Sequence, residues 1–231
     1  MSTNAGGTPG REDAGLPGDG DVDMDVDRHV DMDVDMDVDM AVDMAVDMDV
    51  DVVVLGAGPP GENVAGRVRA GGLSCVVVDS ELFGGECSYW ACVPSKALLR
   101  PVEARDAATR LPGIGVGRLD ARAVLERRDR FTGFDGRHHD DTGQVQWIES
   151  TGARALRGHA RLTGERRLEV ERPDGGGVTL TARHAVVLAV GSDAALPPVP
   201  GLAEATPWTS REATSSERVP QRLAVLGGGV V

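Results

Sequence analysis

A glycine turn set between an apolar run and a helix-forming stretch restricts the fold of this chain more than any other feature. Residues 52–55 (Val-Val-Val-Leu) lead into Gly56-Ala57-Gly58-Pro59-Pro60-Gly61, a helical pattern over 62–69, and a second apolar run, 75–78, that ends in Asp79. Strand, turn, helix and strand in that order open a parallel sheet, because parallel neighbours need a crossover and the crossover is usually a helix. The GxGxxG spacing gives each glycine a task. Gly56 makes the tight turn, Gly58 lets a pyrophosphate approach the backbone, and Gly61 lets helix and strand pack closely. The start of the helix offers free N–H groups to phosphate, and Asp79 stands at a strand end suited to holding a ribose hydroxyl. Ala57, Pro59 and Pro60 complete the turn and Ser80 follows the aspartate. By itself the fingerprint suits FAD and NAD equally.

The second informative stretch is Gly84-Gly85-Glu86-Cys87-Ser88-Tyr89-Trp90-Ala91-Cys92-Val93-Pro94-Ser95-Lys96, which holds two of the three cysteines and the only lysine. Thiols do redox chemistry as thiolates, and a helix N-terminus is one way to lower a thiol pKa; Gly84-Gly85 would lead into such a helix. In a regular helix residues five apart are separated by about 7.5 Å along the axis, too far for a disulfide. Redox use of the pair therefore requires an irregular first turn, which Pro94 suits because it lacks an N–H. The bland alternatives are two buried thiols, half of a metal site and a surface lysine. No second cysteine pair or nearby histidine accompanies the segment, and no metal site is expected. Cys75, on the second strand, reads as a core residue.

These residues resemble the GGxCxxxxCxPSK active site of the FAD-dependent pyridine nucleotide-disulfide oxidoreductases, the family of dihydrolipoamide dehydrogenase, glutathione reductase and mercuric reductase. Ala189-Val190-Gly191-Ser192, followed by Pro197, Pro198, Pro200 and Gly201, is similar to the family's ATGSxPxxPxxPG segment, with Val190 in place of threonine. Residues 222–231 resemble the strand and first glycines of a second fingerprint, which opens the NAD(P)H domain in that family. The resemblance covers residues 51–231. It implies an α/β fold, a Rossmann-like FAD-binding domain in three layers (ββα) with an inserted antiparallel β-meander. The nucleotide contacts would be Gly56, Ala57, Gly58, Pro59, Pro60, Gly61, Asp79, Ser80, Gly84, Gly85, Ala189, Gly191 and Ser192.

It also implies roles. Cys87 would be the interchange thiol, Cys92 the flavin-proximal thiol and Lys96 a cation beside the flavin ring. Electrons would pass from NAD(P)H through FAD and the Cys87–Cys92 disulfide to a small-molecule or protein disulfide or a related acceptor. Members are homodimers, and the chain is expected to be the N-terminal FAD-binding portion of one, with the dimerisation domain absent. The alternative is a noncatalytic FAD-binding remnant or an acidic-tailed interaction protein. Where the family commonly has Leu-Asn-Val-Gly between its cysteines, this chain has Ser88-Tyr89-Trp90-Ala91, and the bulky Tyr89 and Trp90 are expected to reshape the substrate approach.

Charge separates the tail from the body. Residues 1–50 hold fifteen Asp/Glu and two Arg, which accounts for the whole formal net charge of −13. A neutral remainder gives no electrostatic reason for nucleic acid or an acidic membrane as partner. With no signal-peptide pattern, no long apolar run and only three cysteines, a cytoplasmic protein is expected. From residue 21 a DVDM repeat alternates like a strand, but pairing two such strands would set like charges opposite one another, so residues 1–50 are expected to be a disordered acidic tail. Order should begin near residue 51, with the FAD-binding domain at 51–201, a connector at 202–222 and a partial second nucleotide domain at 223–231. Further helices are expected over 97–110, 121–130 and 145–150. Strands are expected over 155–171 and 178–181 about a Gly-rich hairpin, then a buried strand over 185–190 and another over 223–226.

Overall fold

The 52–55 run is hydrogen-bonded along both edges, to residues 75–78 and 185–188, which makes it the middle of the sheet, and both its faces are covered. Val53 and Leu55 join one apolar cluster, while Val52 and Val54 join another, as expected for a central parallel strand. The computed structural model describes residues 46–228; the expectations for residues 1–45 and 229–231 lie outside them. In chain order the elements are β1 (Val46–Leu55), α1 (Pro59–Ala70), β2 (Cys75–Asp79), α2 (Gly85–Tyr89), α3 (Cys92–Thr109), α4 (Ala121–Thr132), α5 (Thr142–Ser150), β3 (Arg154–Arg157), β4 (His159–Gly164), β5 (Arg167–Glu171), β6 (Gly177–Leu188) and α6 (Ser210–Ser215).

The strands form one sheet in the order β3-β2-β1-β6-β5-β4. β3, β2, β1 and β6 are parallel, and β6, β5 and β4 form the antiparallel meander. On one side of the parallel strands, α1 and α5 pack Val64, Ala65, Val68, Val145 and Ile148 against Val52, Val54 and Val77. On the other, Leu168 and Val170 of β5 with Val178 and Leu180 of β6 pack against Val53, Leu55, Val76 and Val78. This is the α/β arrangement of three layers, helices, parallel sheet and meander. No helix among the described residues is long and apolar enough to cross a membrane.

Several expectations are corrected. The first strand begins at Val46, inside the repeat, rather than near residue 51. Its partner explains this: Asp47 and Asp49 lie opposite Thr179 and Thr181 of β6, not opposite another acidic row, while Met48 packs against the core and Val50 is buried in it. The strands expected at 178–181 and 185–190 are one, β6. Between Val50 and Val52 of β1 the partner advances from Ala182 to Ala185, so Arg183 and His184 together oppose Asp51, a β-bulge that interrupts the alternation. Both then converge on that carboxylate, Arg183 Nη1 at 3.0 Å and His184 Nε2 at 3.6 Å. The end of β6 is also less buried than expected, with Leu188 exposed. Residues 223–226 form no strand, and Leu223, Val225 and Leu226 are exposed. The expected connector carries α6.

Candidate active site

Gly56 and Gly61 are required by close backbone approach. At Gly56, with φ +98°, a Cβ would lie 2.1 Å from Ala189 O, and at Gly61 it would lie 1.9 Å from Gly56 O. Gly58 differs: φ −71° and ψ 176° suit any residue, and the nearest atom to a Cβ would be 3.9 Å away. The protein's own packing thus does not call for glycine there, and space stays open at the start of α1. That helix start has no side-chain cap. Pro59 and Pro60 have no N–H to give, and Glu62 N–H donates to Gly58 O at 3.0 Å. The amides of Gly58 and Gly61 have no hydrogen-bond partner among the described residues. Close by, Glu62 Oε1 is buried without a partner among those residues, and burial pushes that carboxyl above its ordinary range.

Asp79, at the end of β2, braces the turn. Its Oδ2 accepts from Ala57 N–H at 2.7 Å and its Oδ1 from Glu81 N–H at 2.8 Å, leaving each oxygen further acceptor capacity. Ser80 sits on an exposed bend.

The cysteine segment starts against the glycine turn. Gly84 N–H donates to Ala57 O at 2.8 Å, and a Cβ on Gly85 would lie 2.9 Å from Gly58 Cα. Cys87 occupies the middle of α2, whereas Cys92 is the first residue of α3. Between the helices Ala91 takes φ −132°, ψ −92°. The helix is broken between the two cysteines, the irregularity that the spacing required, and Pro94 is buried in the first turn of α3. The thiols are neighbours: burial first, then the Cys92 thiol, raises the Cys87 pKa, and the Lys96 charge opposes them. Cys87 and Cys92 are half-buried free thiols. Cys75 is deep in the core, where burial pushes its thiol up to about 11. Lys96 is exposed and lines a cleft of about 430 Å³ with Val93, Arg127 and Phe131.

Tyr89 corrects the expectation for the substrate approach, because it is turned inward. It is 4% exposed and its hydroxyl donates to Phe83 O at 2.8 Å. Burial, followed by the Asp141 charge, pushes the phenol pKa up. Trp90 is half-buried and makes T-shaped contacts with the rings of Tyr89 and His139.

Ala189 N–H donates to Leu55 O at 2.7 Å, which brings the exit segment against the glycine turn. Gly191 (φ +72°) and Ser192 then run out over the surface. The structure therefore gathers the 56–61 turn, the start of the cysteine segment and Ala189, while Ser80, Gly191, Ser192 and Lys96 are exposed.

Sequence reasoning missed the residues that hold these pieces. Asp141 accepts Phe83 N–H at 2.8 Å and pairs with Arg157, whose guanidinium lies 4.9 Å from the Phe83 ring centre. Arg211, on α6, bonds Glu81 and Glu86. No local pattern marks any of them, since their partners lie 16 to 130 residues away in sequence.

Residues 50–231 match the family described as pyridine nucleotide-disulphide oxidoreductase. Dihydrolipoyl dehydrogenase 3 of Pseudomonas aeruginosa is 38% identical over 196 residues, and the dihydrolipoyl dehydrogenase of Chlorobaculum tepidum and the mercuric reductase of Streptomyces lividans are each 34% identical over 187. Each alignment covers 78% of this chain and 38% of the relative. In fold, the chain is similar to the HOCl-induced flavoprotein disulfide reductase RclA of Escherichia coli, solved as a Cu(II) complex. The TM-score is 0.63 at 19% identity, covering 79% of this chain and 38% of that one. By its sequence, the chain belongs to the pyridine nucleotide-disulphide oxidoreductase family, whose members use FAD and NAD(P)H.

Proposed function

We propose that this chain seats FAD at the 56–61 turn and serves electron transfer from NAD(P)H, through the flavin and the Cys87–Cys92 pair, to a disulfide or related acceptor. The observation that carries the reading is the contact of Gly85 with Gly58, which sets the start of the cysteine segment directly on the glycine turn. The residues present fit the cofactor. Gly58 leaves open space that the protein does not need, and the free Gly58 and Gly61 amides face the role of pyrophosphate donors. Asp79 keeps acceptor capacity for a ribose hydroxyl, and Gly84, Ala189, Gly191 and Ser192 would flank the nucleotide.

When bound, FAD supplies a two-electron relay between the nicotinamide and the sulfur pair. The chain's own part is thiol–disulfide exchange. Cys87, as thiolate, attacks one sulfur of the acceptor disulfide and releases the other as thiolate, which takes up a proton. Cys92 then attacks the Cys87 sulfur, freeing the second product thiol and leaving a Cys87–Cys92 disulfide, so two electrons pass to the acceptor. Because burial and Cys92 hold the Cys87 proton more tightly than usual, exchange should accelerate with rising pH, and Lys96 favours the thiolate. A reducing compartment such as the cytoplasm suits a pair that cycles in this way.

The test is a thiol count on FAD-loaded chain, oxidised and then anaerobically reduced, together with its visible spectrum. Two additional thiols after reduction and a long-wavelength band from Cys92 beside the flavin are expected. An oxidised protein that shows the same thiols as the reduced one refutes the redox pair, and a folded chain that takes up no FAD refutes the nucleotide site.

A further inference from the structure

We propose that Arg211 is a positioning residue for the cysteine pair: from α6 it clamps Trp90, Glu86 and Glu81, and so fixes the bend between the helices that carry Cys87 and Cys92. The proposal rests on the reading of the pair as an exchange centre. A helix as short as α2, five residues long, has little stability of its own, and neither α2 nor α3 has a side-chain cap at its start. The shape of the bend must come from outside the segment. Tyr89 anchors it from beneath through Phe83, and Arg211 holds it from above.

The Arg211 guanidinium lies 4.1 Å from the Trp90 ring centre. Its Nε bonds Glu86 Oε1 at 2.6 Å and its Nη2 bonds Glu81 Oε2 at 2.8 Å. Thr214 Oγ1, one turn further along α6, lies 3.0 Å from Trp90 O and 2.8 Å from Ser210 O, and its single proton is shared between the two. α6 is itself fixed, at its start by a capping box of Thr209 and Glu212. At its other end Arg128, 2% exposed, donates from Nη1 to Thr214 O at 2.7 Å and Ser216 O at 2.8 Å.

Arginine suits the post because a planar guanidinium can offer a face to an indole while its in-plane N–H groups reach two carboxylates; a lysine ammonium cannot do all three. The clamp also has an electrostatic side. Glu86 immediately precedes Cys87, and Arg211 neutralises a carboxylate that would otherwise oppose thiolate formation. The charged and titratable groups that act directly on Cys87 are Cys92 and Lys96 on α3; Glu86, the residue before it on α2, is paired with Arg211 of α6.

The experiment uses the full chain, reduced, with R211A, R211K and the double variant R211A/E86Q. Two rates are followed by mass spectrometry: alkylation of Cys87 by iodoacetamide across pH, and closure of the Cys87–Cys92 disulfide after attack on oxidised glutathione. In R211A, closure should slow about five- to tenfold, the Cys87–glutathione adduct should accumulate, and alkylation should move to higher pH. R211K should restore the pH profile more than the closure rate. The double variant should return alkylation to its original pH while closure stays slow, a split that a merely structural role would not give. If R211A does not fold, R211K alone decides, through slow closure at a nearly normal alkylation profile. Closure at the wild-type rate in the folded variants overturns the proposal. A wild-type chain that never closes the pair overturns the exchange reading as well, and so separates the two failures.

Discussion

Replacing Gly61 by alanine and Gly58 by serine should damage the protein in opposite ways. At Gly61 an added Cβ would stand 1.9 Å from Gly56 O, where ordinary contact begins at 3.4 Å. α1 must therefore shift by about 1.5 Å or the turn must deform, and the obstacle is backbone, which has no rotamer to change. Overpacking of this kind costs about 3 kcal/mol, at the upper end of the usual range. The better helix propensity of alanine offsets about 1 kcal/mol, leaving a net loss of about 2 kcal/mol. For a domain of this size that lowers Tm by about 4–8 °C. At Gly58 nothing approaches closer than 3.9 Å. A serine there can cap the free Gly61 amide, which leaves stability unchanged or raises it by a few tenths of a kcal/mol, but its side chain and hydrogen bond occupy the phosphate seat. Thermal unfolding followed by circular dichroism and FAD titration followed by flavin fluorescence quenching read the two effects. The expectation is a destabilised Gly61→Ala and a stable Gly58→Ser that has lost FAD affinity. A Gly61→Ala protein that melts with the wild type refutes the packing argument, and a Gly58→Ser protein with undiminished affinity puts the phosphate elsewhere.

Asp51 accepts from Ser74 Oγ–H and N–H and pairs with Arg183, in that order of weight, and these hold its carboxyl well below the usual 3.8. Its contribution to stability is present above that value and lost as pH falls below it; Asp51→Asn should be less stable at pH 7, with the deficit shrinking in acid melts. Glu62 has the reverse sign: burial raises its pKa above 4.5, so stability falls as pH rises from there, and the Tm of Glu62→Gln should fall less over that interval. Tyr89→Phe removes the bond to Phe83 O and leaves a buried carbonyl unpaired, at a cost of about 1–2 kcal/mol in urea unfolding. Native protein treated with iodoacetamide near neutral pH should be labelled at Cys87 and Cys92 but at Cys75 only after unfolding, because Cys75 is buried with its thiol near 11; prompt native labelling of Cys75 would contradict its core position.

The βαβ opening was legible because its signals are local: four apolar residues, a glycine turn, a helical stretch and a second apolar run follow one another within 28 residues, 52–79. The break between Cys87 and Cys92 was legible for a different reason, since their spacing is incompatible with a regular helix. Residues 46–50 were misread because the penalty for pairing acidic rows depends on the partner, and the partner supplies Thr179 and Thr181. Arg183 and His184 look like the end of a strand because a bulge and a terminus break alternation alike. Tyr89 was expected beside the substrate because a sequence gives the size of a side chain and not its direction. The Arg211 clamp could not be read at all, for α6 meets Glu86 across 125 residues of chain.

The pairing of β1 with β6 has a consequence for how the chain folds. Val54 pairs with Val77 after 23 residues but with Val187 only after 133, and closing the longer loop costs about 1.6 kcal/mol more in chain entropy. The β1–α1–β2 unit can therefore assemble first, and at about 5–20 residues per second of synthesis the other edge of β1 waits roughly 7–27 s for its partner. An open edge in the growing chain is a site of aggregation, and charged side chains along it are a recognised protection. Asp47 and Asp49, placed on the stretch of β1 that later receives β6, set negative charge along the strand during the interval when it has no neighbour on that side.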